Sequence, residues 1–391
     1  MSTLKVNTVL SADTPTVNIT DGLNVTGVST VANITATTVT STNIVNATQL
    51  SHRNLIINGA MRVAQRGTSS TTSGMYSVDR FLCQFGGTDE ALTQSQHTLT
   101  SSDTGPYEEG FIKSFHIQNG NQTGGAGAAD FVEIYTALED QDISTCGWNY
   151  KSSSSYITIS FWVKSSVAQK FSGFFYTNNA GEGDSYMYSY QIDNGSGGNL
   201  TADTWTKITH SIPGSSSLSF NNDNTKGLAV GIFPFNGTDY TTSGHTDNLW
   251  ASWSSSNKLK DMTNTWYDTD NATFEITGVQ LEVGPVATPF EFRSFGDELF
   301  QCQRYHLEAH KYMMWSGQAE SGQTYYAHLQ FPTTMRATPS VSVTYVSNVG
   351  FANDAGTAGD ISVDSCGLGR ASNSSNNGAY FYRTITATAE L

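Results

Sequence analysis

Trp250-Ala-Ser-Trp253, preceded by Tyr240, His245, Asp247 and Asn248, is the densest set of sugar-binding residue types in the chain. An aromatic face packs on the C–H surface of a sugar, while Asn, Asp and Gln bond its hydroxyls. The set lies in a Gly/Ser/Thr-rich stretch with the composition of a surface loop. The competing reading is that these rings plug one end of a β-sandwich. Trp266-Tyr267 forms a second candidate for glycan contact. Trp162 and Trp205 fall in strand patterns and are read as core, and Tyr186, Tyr188 and Tyr190 share one strand face that reads as sandwich interior.

Other constellations carry less. His306-Leu-Glu308-Ala-His310 would present two imidazoles on one helix face, but it lacks the H-E-x-x-H order and a third ligand, so no metal site is expected. Hydrolysis of a glycoside needs two carboxylates at a defined separation, one with a raised pKa. Glu275 and Glu282 are expected to face solvent from a closing strand, Glu291 and Glu298 follow them, and Glu133, Glu139, Asp140 and Asp142 read as an acidic loop. Without a nucleophile motif or a Gly-rich phosphate cradle, the expectation is a non-enzyme with no cofactor.

Composition points to the elements that must hold these residues. Only 14% of the 391 residues are charged, whereas 7 Trp, 18 Tyr and 20 Phe supply ample apolar surface. Ser, Thr, Asn and Gly must therefore build the polar surface, and Ala/Glu/Lys/Leu-rich helices are excluded. The reading is all-β. A net charge of −15 opposes nucleic-acid binding, and no run of eighteen apolar residues would insert in a membrane. Cys83, Cys146, Cys302 and Cys366 lie far apart without C-x-x-C spacing, which fits synthesis in a reducing cytoplasm.

Three parts are expected. Residues 1–53 contain almost no charge and, through residue 50, no aromatic residue; Ile19 and the column Val25, Val28, Val31 and Ile34 are its apolar residues with a regular step. So few large side chains do not offset the ordering entropy of a lone chain. Three copies wound into a shaft around a shared Val/Ile axis would, and the expected partner is the chain itself, as a homotrimer. Residues 54–296 read as a large sandwich: Tyr156–Val163, Lys170–Tyr176, Tyr186–Ile192, Trp205–Ile212, Leu228–Phe233 and Phe274–Glu282 are strands, with turn residues such as Asp193-Asn194-Gly195 between them. In residues 297–391 a short helix or linker strand precedes strands at Gln323–Phe331, Ser340–Val346, Asp360–Asp364 and Ala379–Ala387, giving a small β-sandwich in which Tyr312, Trp315, Tyr325, Tyr326 and Phe351 are contact candidates.

Several strings resemble bacteriophage tail-fibre proteins: NLIINGAMRVAQRG (Asn54–Gly67), YSVDRF (Tyr76–Phe81), ADTWTKIT (Ala202–Thr209) and, most specifically, FEITGVQLEVGPVATPFEFRSFGDELFQCQRY (Phe274–Tyr305). GLNVTGVSTVANITATTVTSTNI (Gly22–Ile44) is similar to trimeric shaft segments of cyanophage fibres. The resemblance implies a jelly-roll domain similar to carbohydrate-binding modules, followed by a small distal β domain. It further implies a virion location, an N-terminus held by another tail or baseplate protein, and adhesion to host glycan or lipopolysaccharide. A purely structural fibre and a polysaccharide-degrading tailspike are the rivals. Related modules hold calcium through acidic residues, but Arg62 and Thr277 stand at the corresponding places, so no calcium site is expected. The acidic charge favours a neutral glycan or a divalent-bridged lipopolysaccharide.

Overall fold

The computed structural model describes residues 52–177 and 185–391. The residues expected to form the shaft core, Ile19, Val25, Val28, Val31 and Ile34, lie outside the described residues.

The sandwich is built from β1 (Ser69–Ser70), β2 (Leu82–Gly86), β3 (Thr93–Thr98), β4 (Lys113–Gln118), β5 (Phe131–Glu139) and β6 (Tyr156–Ser165). It continues with β7 (Phe171–Thr177), β8 (Tyr186–Ile192), β9 (Thr206–Pro213), β10 (Lys226–Asn236), β11 (Ala251–Ser252) and β12 (Thr273–Val283). One sheet runs β1-β3-β4-β12-β6-β9 and the other β11-β8-β7-β10-β5-β2. Their inner members, β4-β12-β6-β9 against β5-β10-β7-β8, follow the order of a jelly roll, with the chain changing sheet at every step except the β7-β8 hairpin.

Period-2 alternation makes each strand two-faced. Leu228, Val230 and Ile232 of β10 enter the core beside Val132, Ile134 and Leu138 of β5, Phe171 and Phe175 of β7, and Tyr188 and Tyr190 of β8. The alternate residues, Tyr135, Phe174, Tyr176 and Phe233, form a separate cluster on the outer face. In β12 the phase changes: Phe274 and Ile276 point inward, then Val279 and Leu281. The register shift between Thr277 and Gln280 marks a bulge, and Gly278 takes φ +64° there, with the Phe111 ring against the place a Cβ would occupy.

The expected acidic loop is absent. Glu133 and Glu139 are buried on β5, and Asp140–Thr145 form a short helix, α1. Glu275 and Glu282, expected to face solvent, are also buried. Glu275 accepts from Ser114 Oγ (2.7 Å) and pairs with Lys164 Nζ (3.0 Å), and Glu282 accepts from Thr288 N and Oγ1. These residues lie at strand positions where neighbouring chain segments replace water as hydrogen-bond donors.

Helix α2 (Phe295–Gln303), capped by Ser294 accepting from Asp297 N, leads into β13 (His306–Ala319). The remaining strands are β14 (Thr324–Gln330), β15 (Ser340–Val349), β16 (Ala358–Gly359), β17 (Ser365–Ala371) and β18 (Asn376–Thr388). They form two three-stranded sheets, β13-β18-β15 and β14-β17-β16, around a second core that includes Met313, Phe351, Leu368 and Phe381. The strand expected at Asp360–Asp364 is a turn; Ser362 Oγ accepts from Asp364 N and Ser365 N there, and the strand begins at Ser365. This part is joined to the sandwich by buried charge. Arg304 donates to both Glu139 oxygens (2.7 Å each), Tyr305 OH donates to the same carboxylate, and Arg80 pairs with Glu390 while stacking on the Tyr305 ring.

Candidate functional site

Small residues on the outer face of the second sheet leave a depression between rings. Ala137 of β5 and Ala229 of β10 form its floor, and Tyr135, Phe174 and Tyr176 rise beside them. The loop after β10 folds across this face and brings Tyr240, Trp253 and Lys258 to the rim. The resulting cavity has a volume of about 360 Å³. Trp253 is 41% exposed and lies 4.6 Å from the Tyr176 ring, centroid to centroid, so its indole is both supported and presented to solvent.

Long-range bonds hold the loop in place. Asn248 N donates to Ser189 O and Trp253 N to Ser185 O, both at 2.8 Å. Ser189 Oγ donates to Asp247 Oδ1 (2.6 Å) and lies 2.7 Å from His245 Nε2. These three residues touch, but the order differs from a hydrolytic triad: the carboxylate holds the serine hydroxyl, and His245 Nδ1 faces Asn257 O at 3.0 Å. Ser189 is buried, so the group ties the loop to β8.

Several polar side chains line the cavity. Glu133 is bonded by Lys258 Nζ and by Asn236 Nδ2 (2.7 Å), and Lys258 also sits 4.7 Å from the Tyr240 ring centre. Burial, reinforced by the Glu133 charge, pushes the Tyr135 phenol well up, so it stays protonated as a donor. Burial pulls the Lys226 ammonium down from the usual lysine value. Among the described residues lining the cavity, Glu133 supplies the single side-chain carboxylate.

The sequence-predicted residues separate. Tyr240 and Trp253 reach this cavity. Trp250 turns inward, packs on Tyr188 and donates from Nε1 to Pro213 O at 2.7 Å. Asp247 anchors the loop, and Asn248 lines a second, more polar hollow of about 370 Å³ beside His210, whose pKa burial lowers to about 4. Trp266 and Tyr267, the second aromatic candidate, lie in the sandwich core with Trp266 wholly buried and Trp266 N bonded to Gln169 Oε1. Thr277 is buried and donates to Lys113 O. His306 is a buried strand residue whose Nδ1 lies 2.9 Å from Thr388 Oγ1, with its pKa pushed by burial down to about 3. Trp315, Tyr325 and Phe351 pack on or around Phe381, whereas Tyr326 is exposed; the side chains of His310 and Tyr312 lie outside the described residues. Tyr135, Phe174, Tyr176 and Lys226 were not singled out from sequence. The outward parity of Phe174 and Tyr176 in Phe171–Thr177 was the signal that could have found two of them.

No family model matches the chain, and no curated protein matches it. Among solved structures it is similar to the enzymatically active domain of tailspike protein 4 from bacteriophage CBA120 (11% identity, TM-score 0.31, 59% of this chain). The chain covers 21% of that tailspike structure. It is also similar to a protein from Bacteroides thetaiotaomicron ascribed to sugar binding (11%, TM-score 0.31), covering 59% of this chain and all of that one. A xylan-binding domain from Paenibacillus barcinonensis matches at 13% identity and TM-score 0.25, over 57% of this chain and 93% of that one.

Proposed function

We propose that this chain is a glycan-binding subunit of a phage tail fibre, trimeric through its N-terminal segment and adhesive toward the host surface. The observation that carries the binding reading is the aromatic-walled cavity on the second sheet, with the exposed, Tyr176-supported indole of Trp253 at its rim. Such a ring packs on a sugar's C–H face, and Gln84 and Ser255 offer hydrogen bonds around it. The fibre assignment rests on the Asn54–Gly67 and Phe274–Tyr305 strings and on an N-terminal segment that needs partner chains to complete a core. Three copies per fibre would multiply individually weak contacts through effective concentration.

Binding without cleavage is the reading the cavity favours, because a lone carboxylate held by Lys258 and Asn236 is poorly placed for two-carboxylate hydrolysis. Glycan-array binding of the purified chain, with light scattering for its mass, tests the reading. Retention of array glycans by the native chain and their loss in Trp253→Ala are expected, at trimeric mass. A monomer that retains no glycan, or one that shortens host polysaccharide, would overturn it.

A further inference from the structure

Three cations line the cavity, and two are already matched. Arg80 pairs with Glu390 and donates to Ala137 O at 2.7 Å; Lys258 pairs with Glu133. Lys226, the first residue of β10, is half-buried, and among the described residues no carboxylate lies within ion-pair distance of it. Partly withdrawn from water, this ammonium is compensated by no carboxylate of the described residues, and burial depresses its pKa. The side-chain carboxylate on the cavity wall among the described residues, Glu133, is spent on Lys258 and Asn236.

We propose that the cavity takes an acidic saccharide, with Lys226 pairing the carboxylate of a hexuronic acid while Trp253 and Tyr176 carry the sugar ring. The proposal rests on the glycan-binding reading and narrows it. It departs from the expectation of a neutral glycan or a divalent-bridged lipopolysaccharide drawn from the net charge of −15: total charge governs approach at a distance, whereas selectivity is set by the group the ligand touches, and surface charges beyond about 8 Å are screened at physiological salt. A volume of about 360 Å³ stands at the small end of ligand pockets, which run from ~300 to ~1,000 Å³, and suits one or two sugar rings.

Calorimetric titration of the full chain with matched disaccharides tests this: digalacturonic acid against galactobiose, and cellobiouronic acid against cellobiose. The uronic member of at least one pair is expected to bind about tenfold more tightly or better, as a charge-assisted contact implies. Lys226→Gln is expected to remove that preference while leaving the neutral affinity in place, and Lys226→Arg to keep most of it. Trp253→Ala should weaken both members of the pair. Equal affinities in the native chain, or a preference that survives Lys226→Gln, would overturn the acidic-ligand inference alone. Failure of every disaccharide to bind, with the native chain folded by circular dichroism, would overturn the glycan reading and this inference with it.

Discussion

The two sheets of the sandwich share one core and differ on their outer faces. On the first sheet, Trp162 and Trp205 are packed under Leu99, Phe111 and Phe290. The polar residues there are tied into a network in which Lys164 bridges Asp103 and Glu275 at 3.0 Å each and His97 Nδ1 approaches Glu275 at 3.0 Å. On the second sheet, the rings of Tyr135, Phe174, Tyr176 and Trp253 surround an open cavity, and Lys226 has no counter-ion among the described residues. Both faces carry aromatic residues at outward strand positions. Which face stays open is decided by the connecting segments that cover one and only rim the other.

The largest expected effect is on the closed face. Glu275→Ala removes the acceptor shared by Lys164, Ser114 and His97, and urea unfolding should show a loss of about 3 kcal/mol with sugar affinity unchanged. A comparable loss of affinity would erase the distinction between the faces. On the open face the pattern reverses: Trp253→Ala should cost roughly 1–2 kcal/mol of sugar binding, read by calorimetry, and well under 1 kcal/mol of stability, because its indole is substantially exposed.

Acid sharpens the contrast further. Burial lowers the pKa of His210 to about 4 and of His306 to about 3, so both stay neutral in the folded chain. The unfolded chain takes up those protons near pH 6.5, hence the stability the neutral imidazoles contribute declines from there down to about pH 4 for His210 and about pH 3 for His306. Asp103 follows. Its partial burial favours the neutral acid, but bonds from Thr100 N, Trp205 and Lys164 outweigh this and hold it at about 2. Its contribution is therefore present above the ordinary carboxylate range and lost as pH falls toward 2. Melting temperatures followed from pH 7 to pH 2 should show both declines, with His210→Gln reducing only the first and Asp103→Asn only the second. The smallest effect belongs to the exposed Lys207–Glu109 pair at the margin of the closed face, where Lys207→Ala should change stability by no more than about 0.5 kcal/mol in the same melts.

The sandwich strands β6 to β10 and β12 were legible because stretches such as Tyr156–Val163, Lys170–Tyr176 and Phe274–Glu282 alternate and end in turn residues, whereas β11 was read as loop. Strands β2 to β5 were not, since Lys113–Gln118 mixes polar and apolar residues and the carboxylates of Phe131–Glu139 read as solvated. The site was half legible. Tyr240 and Trp253 stood out as rings in a polar loop, but so did Trp250, Trp266 and Tyr267, and composition alone does not tell a presented ring from a buried one. Trp266 is buried because Gln169, ninety-seven residues away in sequence, accepts its backbone N–H.

The amino-acid order by itself determined the all-β character and, through period-2 alternation, which residues of each strand look inward, because both depend on neighbours one or two positions apart. Folding in three dimensions decided which outer face stays open, which carboxylates find cations, and that Lys226 comes to line a cavity without a carboxylate partner among the described residues. Those outcomes depend on partners far apart in the chain, such as Glu139 with Arg304, Glu275 with Lys164 and Trp253 with Tyr176. The desolvation and pairing energies that set them arise only once the strands have brought such residues together.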